Sequence, residues 1–217
     1  MNMGAEIIPA ILAKDEKEFR RKIESVKDHC ETVQVDVMDG TFAGNVTFSD
    51  ASRVDNRVVP MPFEVHLMVA DPIAQLDGWS KAGAERAIIH AETVDDLPEA
   101  LRQVKLFGME PGLTFNPDTP VEDILDAVPF ASVVQVMGVT PGDMGRPFHP
   151  EAIEKVRELR KRFPDLVISV DGGVTVGIAR QLVEAGADRL VAGSAIFNSG
   201  SPAKALEALA ADADLEN

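Results

Sequence analysis

Eight short apolar runs separated by amphipathic helical stretches constrain this chain more than any other feature. The runs are IIPAIL (7–12), TVQVDVMD (32–39), FEVHLMV (63–69), RAIIHAE (86–92), PGLTFN (111–116), SVVQVMGV (132–139), LVISVDGG (166–173) and RLVAGSAIF (189–197). Helical periodicity lies between them, as in EKEFRRKIESVKDH (16–29), DDLPEALRQVKLFG (95–108), PEAIEKVRELRKRF (150–163) and VGIARQLVEAGA (176–187). Strands that alternate with helices form parallel βαβ units, and eight such units close into a (β/α)8 barrel. No Ser-, Pro- or Gly-rich linker interrupts the order, so residues 1–217 are expected to form one barrel domain. An open doubly wound sheet is the alternative, but no G-x-G-x-x-G follows the first run.

An internal echo agrees with closure. KAGAERAIIH (81–90) and EAGADRLVAG (184–193) both read helix end, Gly, Ala, acid, Arg, then an apolar strand. They precede the fourth and eighth runs, half a barrel apart, although a short turn signature also recurs through local physics alone.

The second run carries the first chemical signal. Period-2 alternation sends Val33, Val35 and Val37 to one side and Gln34, Asp36 and Met38 to the other. A half-exposed antiparallel strand explains such a polar face by contact with water. In a parallel barrel that face is the interior, and reactive groups collect at the C-terminal strand ends. Asp36, His66 (on a face with Glu64 and Met68) and Asp171 (on a face with Val167 and Ser169) are then expected at one mouth.

The last runs end in glycine. Gly172 and Gly173 follow Asp171, and Gly193-Ser194 follows the eighth run. Backbone N–H groups there approach an anion closely, and the loops after strands seven and eight commonly hold phosphate in these barrels. The long loop VTPGDMGRPFHP (139–150) brings Gly142, Gly145 and Arg146 as a cover over substrate.

Composition limits the partners. A formal charge of -15 argues against a nucleic-acid binder, which needs clustered cations. The chain has no long apolar run and no basic, apolar leader at its start, so the expectation is a soluble, cytoplasmic protein without membrane contact. Cys30 is the sole cysteine and cannot form an internal disulfide.

Taken in order, PAIL, VDVMDGTF, NVTF (45–48), VHLMV, IHAE, NPDTP (116–120), VMGVTPG, VDGGV and VAGSAIF resemble the ribulose-phosphate 3-epimerases over nearly the whole chain. The resemblance implies a ribulose-phosphate-binding type of barrel and interconversion of D-ribulose 5-phosphate and D-xylulose 5-phosphate. It implies proton transfer at C3 by Asp36 and Asp171, a pocket lined by Met38, Met68 and Met137, and a homo-oligomer acting on a small phosphorylated sugar. It also implies a divalent metal (Zn, Mn or Fe) on two His and two Asp, for which Asp36, His66 and Asp171 match three ligands. Epimerisation suits two carboxyl groups on opposite sides of one carbon, and its enediolate needs positive charge or preorganised donors.

The chain departs from the family at its centre. Gln34 stands where the family has a metal-binding His, and an amide oxygen is a poorer ligand than imidazole for zinc-like metals. Ala10-Ile11-Leu12-Ala13-Lys14-Asp15 lacks the two hydroxyls of S-I-L-S-A-D, and PGDMGR (141–146) replaces PGFGGQ, adding Asp143 and Arg146. Two alternatives follow: a metal-poor relative with low activity or another phosphorylated sugar, and a non-catalytic barrel that binds a phosphorylated ligand. The related orotidine-phosphate and ketogulonate-phosphate decarboxylases carry D-x-K-x-x-D, whereas DVMD (36–39) has no lysine.

Overall fold

The computed structural model describes residues 4–142 and 145–215, so Asp143 lies outside the described residues. Eight parallel strands, β1 (Glu6–Ile11), β2 (Val33–Met38), β3 (Phe63–Met68), β4 (Arg86–His90), β5 (Glu110–Phe115), β6 (Val133–Met137), β7 (Ile168–Asp171) and β8 (Arg189–Ala192), pair in sequence order and close through β1 and β8. This is the (β/α)8 barrel.

The helices are α1 (Glu16–Val26), α2 (Leu76–Ala82), α3 (Leu97–Leu106), α4 (Glu151–Arg162), α5 (Ile178–Ala185), α6 (Ser194–Phe197) and α7 (Pro202–Ala213). Asp15, Asp96 and Ser201 cap α1, α3 and α7 by accepting from backbone N–H groups of the first turn, which satisfies donors that have no helical partner. Among the described residues only short 3-10 turns lie between β2 and β3 and between β5 and β6, so the outer ring is uneven.

The strand faces divide as alternation requires. Val33, Val35 and Val37 join Val65, Leu67, Trp79 and Leu101 in the layer between sheet and helices, all with at most 1% exposure. The opposite face of β2 is equally buried, so Gln34 and Asp36 lie inside the barrel and not on a solvated antiparallel sheet. Register then sets the neighbours, with Gln34 beside Glu64, Asp36 beside His66 and Met38 beside Met68.

The repeated turn has the same geometry in both copies. Gly83 (φ 96°) ends α2 and Gly186 (φ 111°) ends α5 in the left-handed region, directly before β4 and β8. One boundary differs from the sequence expectation. The apolar run 189–197 is a strand only to Ala192, and Ser194–Phe197 turns into α6, since a buried run of this length suits either state. Among the described residues no helix is long and apolar enough to cross a membrane.

The N-terminal end of the barrel is closed by charge. Glu64 accepts from Arg86 Nη1 at 2.7 Å and Arg189 Nη2 at 2.9 Å, and Arg189 Nε also reaches Glu6 at 3.1 Å. Chemistry is left to the other end.

Candidate active site

Asp36, His66 and Asp171 come together at the C-terminal mouth, with exposures of 6%, 0% and 6%. His66 Nδ1 lies 3.0 Å from Asp171 Oδ2 and 3.4 Å from Asp36 Oδ1. The neighbouring strands β2 and β3 and the distant β7 thus supply one cluster, because in a closed barrel the interior positions face one another. Gln135 of β6 adds a donor to Asp171 Oδ2 at 3.2 Å.

Electrostatics separates these groups. Burial drives the Asp36 carboxyl above its usual value, and the neighbouring Asp171 reinforces that shift while His66 opposes it. Burial pulls the His66 imidazole down, but hydrogen bonds and charge from Asp171 and Asp36 outweigh it and raise its pKa to about 9. His66 is therefore an imidazolium at neutral pH in this arrangement. His90 goes the other way, to about 4, chiefly through burial, and is neutral.

Those protonation states order a chain of hydrogen bonds. His66 Nε2–H donates to His90 Nε2 at 2.9 Å, and His90 Nδ1–H donates to Glu92 at 3.3 Å. Glu92 also accepts from the Asn116 N–H at 2.7 Å and from Thr119, while the Lys155 ammonium clamps the carbonyls of Pro117 and Thr119 at 2.6 Å. Burial raises the Glu92 carboxyl, but the hydrogen bonds from His90, Thr119 and Asn116 prevail and hold it at about 2. The NPDTP segment thereby fixes Glu92, Glu92 fixes His90, and His90 fixes His66.

His90, Glu92 and Gln135 were not singled out by the sequence reasoning. The signal was present: alternation from Ile88 sends His90 inward, and from Val133 it sends Gln135 inward. Thr47 also escaped notice. Its hydroxyl donates to Asp36 O and accepts from Met38 N–H, both at 2.9 Å, so the NVTF segment holds the backbone that carries Asp36. Asp39, next to Met38, is a loop organiser. It accepts from the N–H groups of Thr41 and Ala70 at 2.8 Å, away from the carboxylate pair.

Asp36 and Asp171 form the floor of a pocket walled by Met68, Met137, Gly142, Gly145, Gly172, Gly173, Gly193 and Ser194. Met38 lies beneath, fully buried against Met68 and Ala43. Gly172 (φ 94°) and Gly173 (φ 71°) must be glycine, since a Cβ would stand 2.4 Å from Val139 Cγ2 in the first case and 2.9 Å from Phe148 Cβ in the second. The loops after β6 and β7 are thus pressed together at the pocket wall. Exposed Arg146 lays its guanidinium against Gly142 at the rim, where a Cβ on Gly142 would be 2.9 Å from Nη2.

One ligand atom each from Asp36, His66 and Asp171 lies within 4.8 Å of the others, a candidate metal site. Two carboxylate oxygens and an imidazole nitrogen suit a divalent ion of the Zn, Mn or Fe type as three protein ligands. At the fourth corner Gln34 presents its nitrogen. Nε2 donates to Asp171 Oδ2 at 2.8 Å and Asp36 Oδ1 at 2.9 Å and lies 3.3 Å from His66 Nδ1, while buried Oε1 has no hydrogen-bond partner.

Comparison with known proteins accords with this geometry. The model of the ribulose-phosphate 3 epimerase family matches residues 6–197. A ribulose-phosphate 3-epimerase of Chlamydia muridarum is 36% identical over 208 residues, covering 91% of this chain and 90% of that protein. One from Bacillus subtilis is 34% identical, covering 93% and 96%. A crystal structure of 3-hexulose-6-phosphate synthase superposes with a TM-score of 0.74 over 96% of this chain and all of that one, at 16% identity, which speaks for the fold alone. The chain belongs to the ribulose-phosphate 3-epimerase family.

Proposed function

We propose that this pentose-phosphate epimerase inverts C3 of D-ribulose 5-phosphate with Asp36 and Asp171 as its two proton carriers. The observation that carries this reading is the convergence of both carboxyl groups on one pocket floor under a wall of glycine-bearing loops. One carboxylate takes the C3 proton, and the C–H electron pair moves into the C2–C3 bond while negative charge gathers on the C2 oxygen. The other, protonated carboxyl returns a proton to the opposite face, and the charge collapses back to the carbonyl. A carboxyl raised by burial suits Asp36 to hold the proton that is returned in one direction; in the reverse direction the roles exchange.

The His66 imidazolium beside both carboxylates supplies fixed positive charge where the enediolate forms. Asp36, His66 and Asp171 would hold a divalent ion only with His66 Nδ1 deprotonated, and the ion would then supply in place of that proton the positive charge that stabilises the enediolate. Met68 and Met137 cover the apolar side of the sugar and exclude water. Gly173, Gly193 and Ser194 offer backbone N–H groups to the phosphate, with Gly142, Gly145, Gly172 and Arg146 at its rim.

In this reading residues 1–217 form one catalytic barrel, working as a cytoplasmic homo-oligomer on a small phosphorylated sugar, with no nucleic-acid or membrane partner. The test is incubation of the purified chain with D-ribulose 5-phosphate, followed by NMR. Appearance of D-xylulose 5-phosphate supports it; no conversion, with or without added Mn2+, Zn2+ or Fe2+, overturns it.

A further inference from the structure

Gln34 is a polar side chain of the centre to which the reaction gives no task, and unlike Gln135 it donates to both carboxylates. Its amide nitrogen bridges Asp171 Oδ2 at 2.8 Å and Asp36 Oδ1 at 2.9 Å. Both N–H bonds are therefore spent on the two carboxylates of the candidate metal triad. The other end of the amide has nothing to accept, since Oε1 is buried without a partner. Such an orphan has a cost, and the side chain tolerates it because two donations to carboxylates outweigh it.

Turning the amide over reverses the balance. Oε1 would then face two carboxylates, with the single His66 Nδ1–H 3.3 Å away as its one donor in place of two hydrogen bonds given to carboxylates, unless a metal cation stood between them. The amide thus has one orientation that serves the carboxylates alone and another that serves a cation. A histidine in this position lacks that choice, because a neutral ring nitrogen cannot donate to both oxygens and accept a metal at once.

We propose that Gln34 is an internal competitor for the divalent cation: its amide N–H groups cap Asp36 and Asp171, and a metal binds only by displacing them. The centre is complete with its carboxylates satisfied from within, and metal exchanges readily. The proposal differs from a plain loss of a ligand in one respect that is measurable. If Gln34 were merely a weak fourth ligand, removing its amide would weaken metal binding further; if it competes, removal strengthens binding.

The experiment titrates Mn2+ into the purified full chain and reads free Mn2+ by electron paramagnetic resonance, for wild type, Gln34→Met and Gln34→His. Methionine keeps the volume but brings a soft thioether that suits Mn2+ poorly. Competition predicts that Gln34→Met binds Mn2+ more tightly than wild type, and that Gln34→His binds more tightly by at least about 10- to 100-fold. Equal or weaker binding in Gln34→Met overturns the proposal.

A second measurement needs no variant. In chelator-treated protein the Gln34 side-chain amide should show NMR couplings through its hydrogen bonds to the Asp36 and Asp171 carboxylates, and saturating Zn2+ should abolish them; couplings unchanged by Zn2+ also overturn the proposal. The proposal concerns the same pocket as the epimerase reading, but neither readout involves turnover, so the two stand or fall separately.

Discussion

His66 and His90 meet end to end inside the barrel, Nε2 to Nε2 at 2.9 Å, with their rings 19° from parallel. Two buried imidazoles at this distance cannot both carry a proton on the facing nitrogens. The carboxylates beside His66 settle the sharing, with His66 charged and His90 neutral.

A pH dependence of stability follows. His90 titrates near 4 in the folded protein instead of 6.5, so the unfolded chain takes up its proton first as pH falls. Its contribution is full above pH 6.5 and is lost as pH falls toward about 4. His66, raised to about 9, contributes fully below 6.5, and that contribution is lost as pH rises through about 9. Thermal melts should therefore show falling Tm on both limbs. His90→Gln should flatten the acid limb, and an acid limb identical to wild type would contradict the assignment.

The phosphate wall gives a prediction in substrate affinity. Ser194→Asp sets a carboxylate at the proposed phosphate position, where a like charge costs several kcal/mol, so KM for ribulose 5-phosphate should rise by about 100-fold or more. Ser194→Ala keeps the backbone N–H and should change KM little. Steady-state kinetics of the pair decides it, and an unchanged KM in Ser194→Asp removes the phosphate from this wall.

At the other end of the barrel, Arg189 is 6% exposed and shares Glu64 with Arg86. Arg189→Met leaves buried Glu64 with one partner fewer and should cost about 3 kcal/mol in urea unfolding. Turnover at saturating substrate should stay near wild type, because the network lies at the closed end. A large loss of kcat with unchanged stability would be the contrary result.

The barrel was legible because each level of the sequence agrees: eight apolar runs, helical spacing between them, and Gly83 and Gly186 ending helices before β4 and β8. Alternation along β2, β3 and β7 was enough to bring Asp36, His66 and Asp171 together. The chain from Glu92 through His90 was not legible, since its members lie 24 residues from the partners they serve, His66 and Asn116, and only the pairing of β4 with β3 and β5 makes them neighbours. Nor does Gln34 announce in sequence which end of its amide faces the carboxylates. That follows from two oxygens placed within 2.9 Å of one nitrogen. The extent of β8 was missed because SAIF is apolar enough for a strand, yet the chain turns there into α6.

The most direct test of the two-carboxylate account follows the C3 hydrogen in D2O by NMR, for wild type, Asp36→Asn and Asp171→Asn. Wild type should place deuterium at C3 as it interconverts the two pentulose 5-phosphates. Each Asn variant should lose inversion by at least about 100-fold, the range a positioned acid or base supplies. The remaining carboxylate should exchange the C3 hydrogen of one epimer only, and the epimer should differ between the two variants. Inversion at near wild-type rate in either variant would contradict the account.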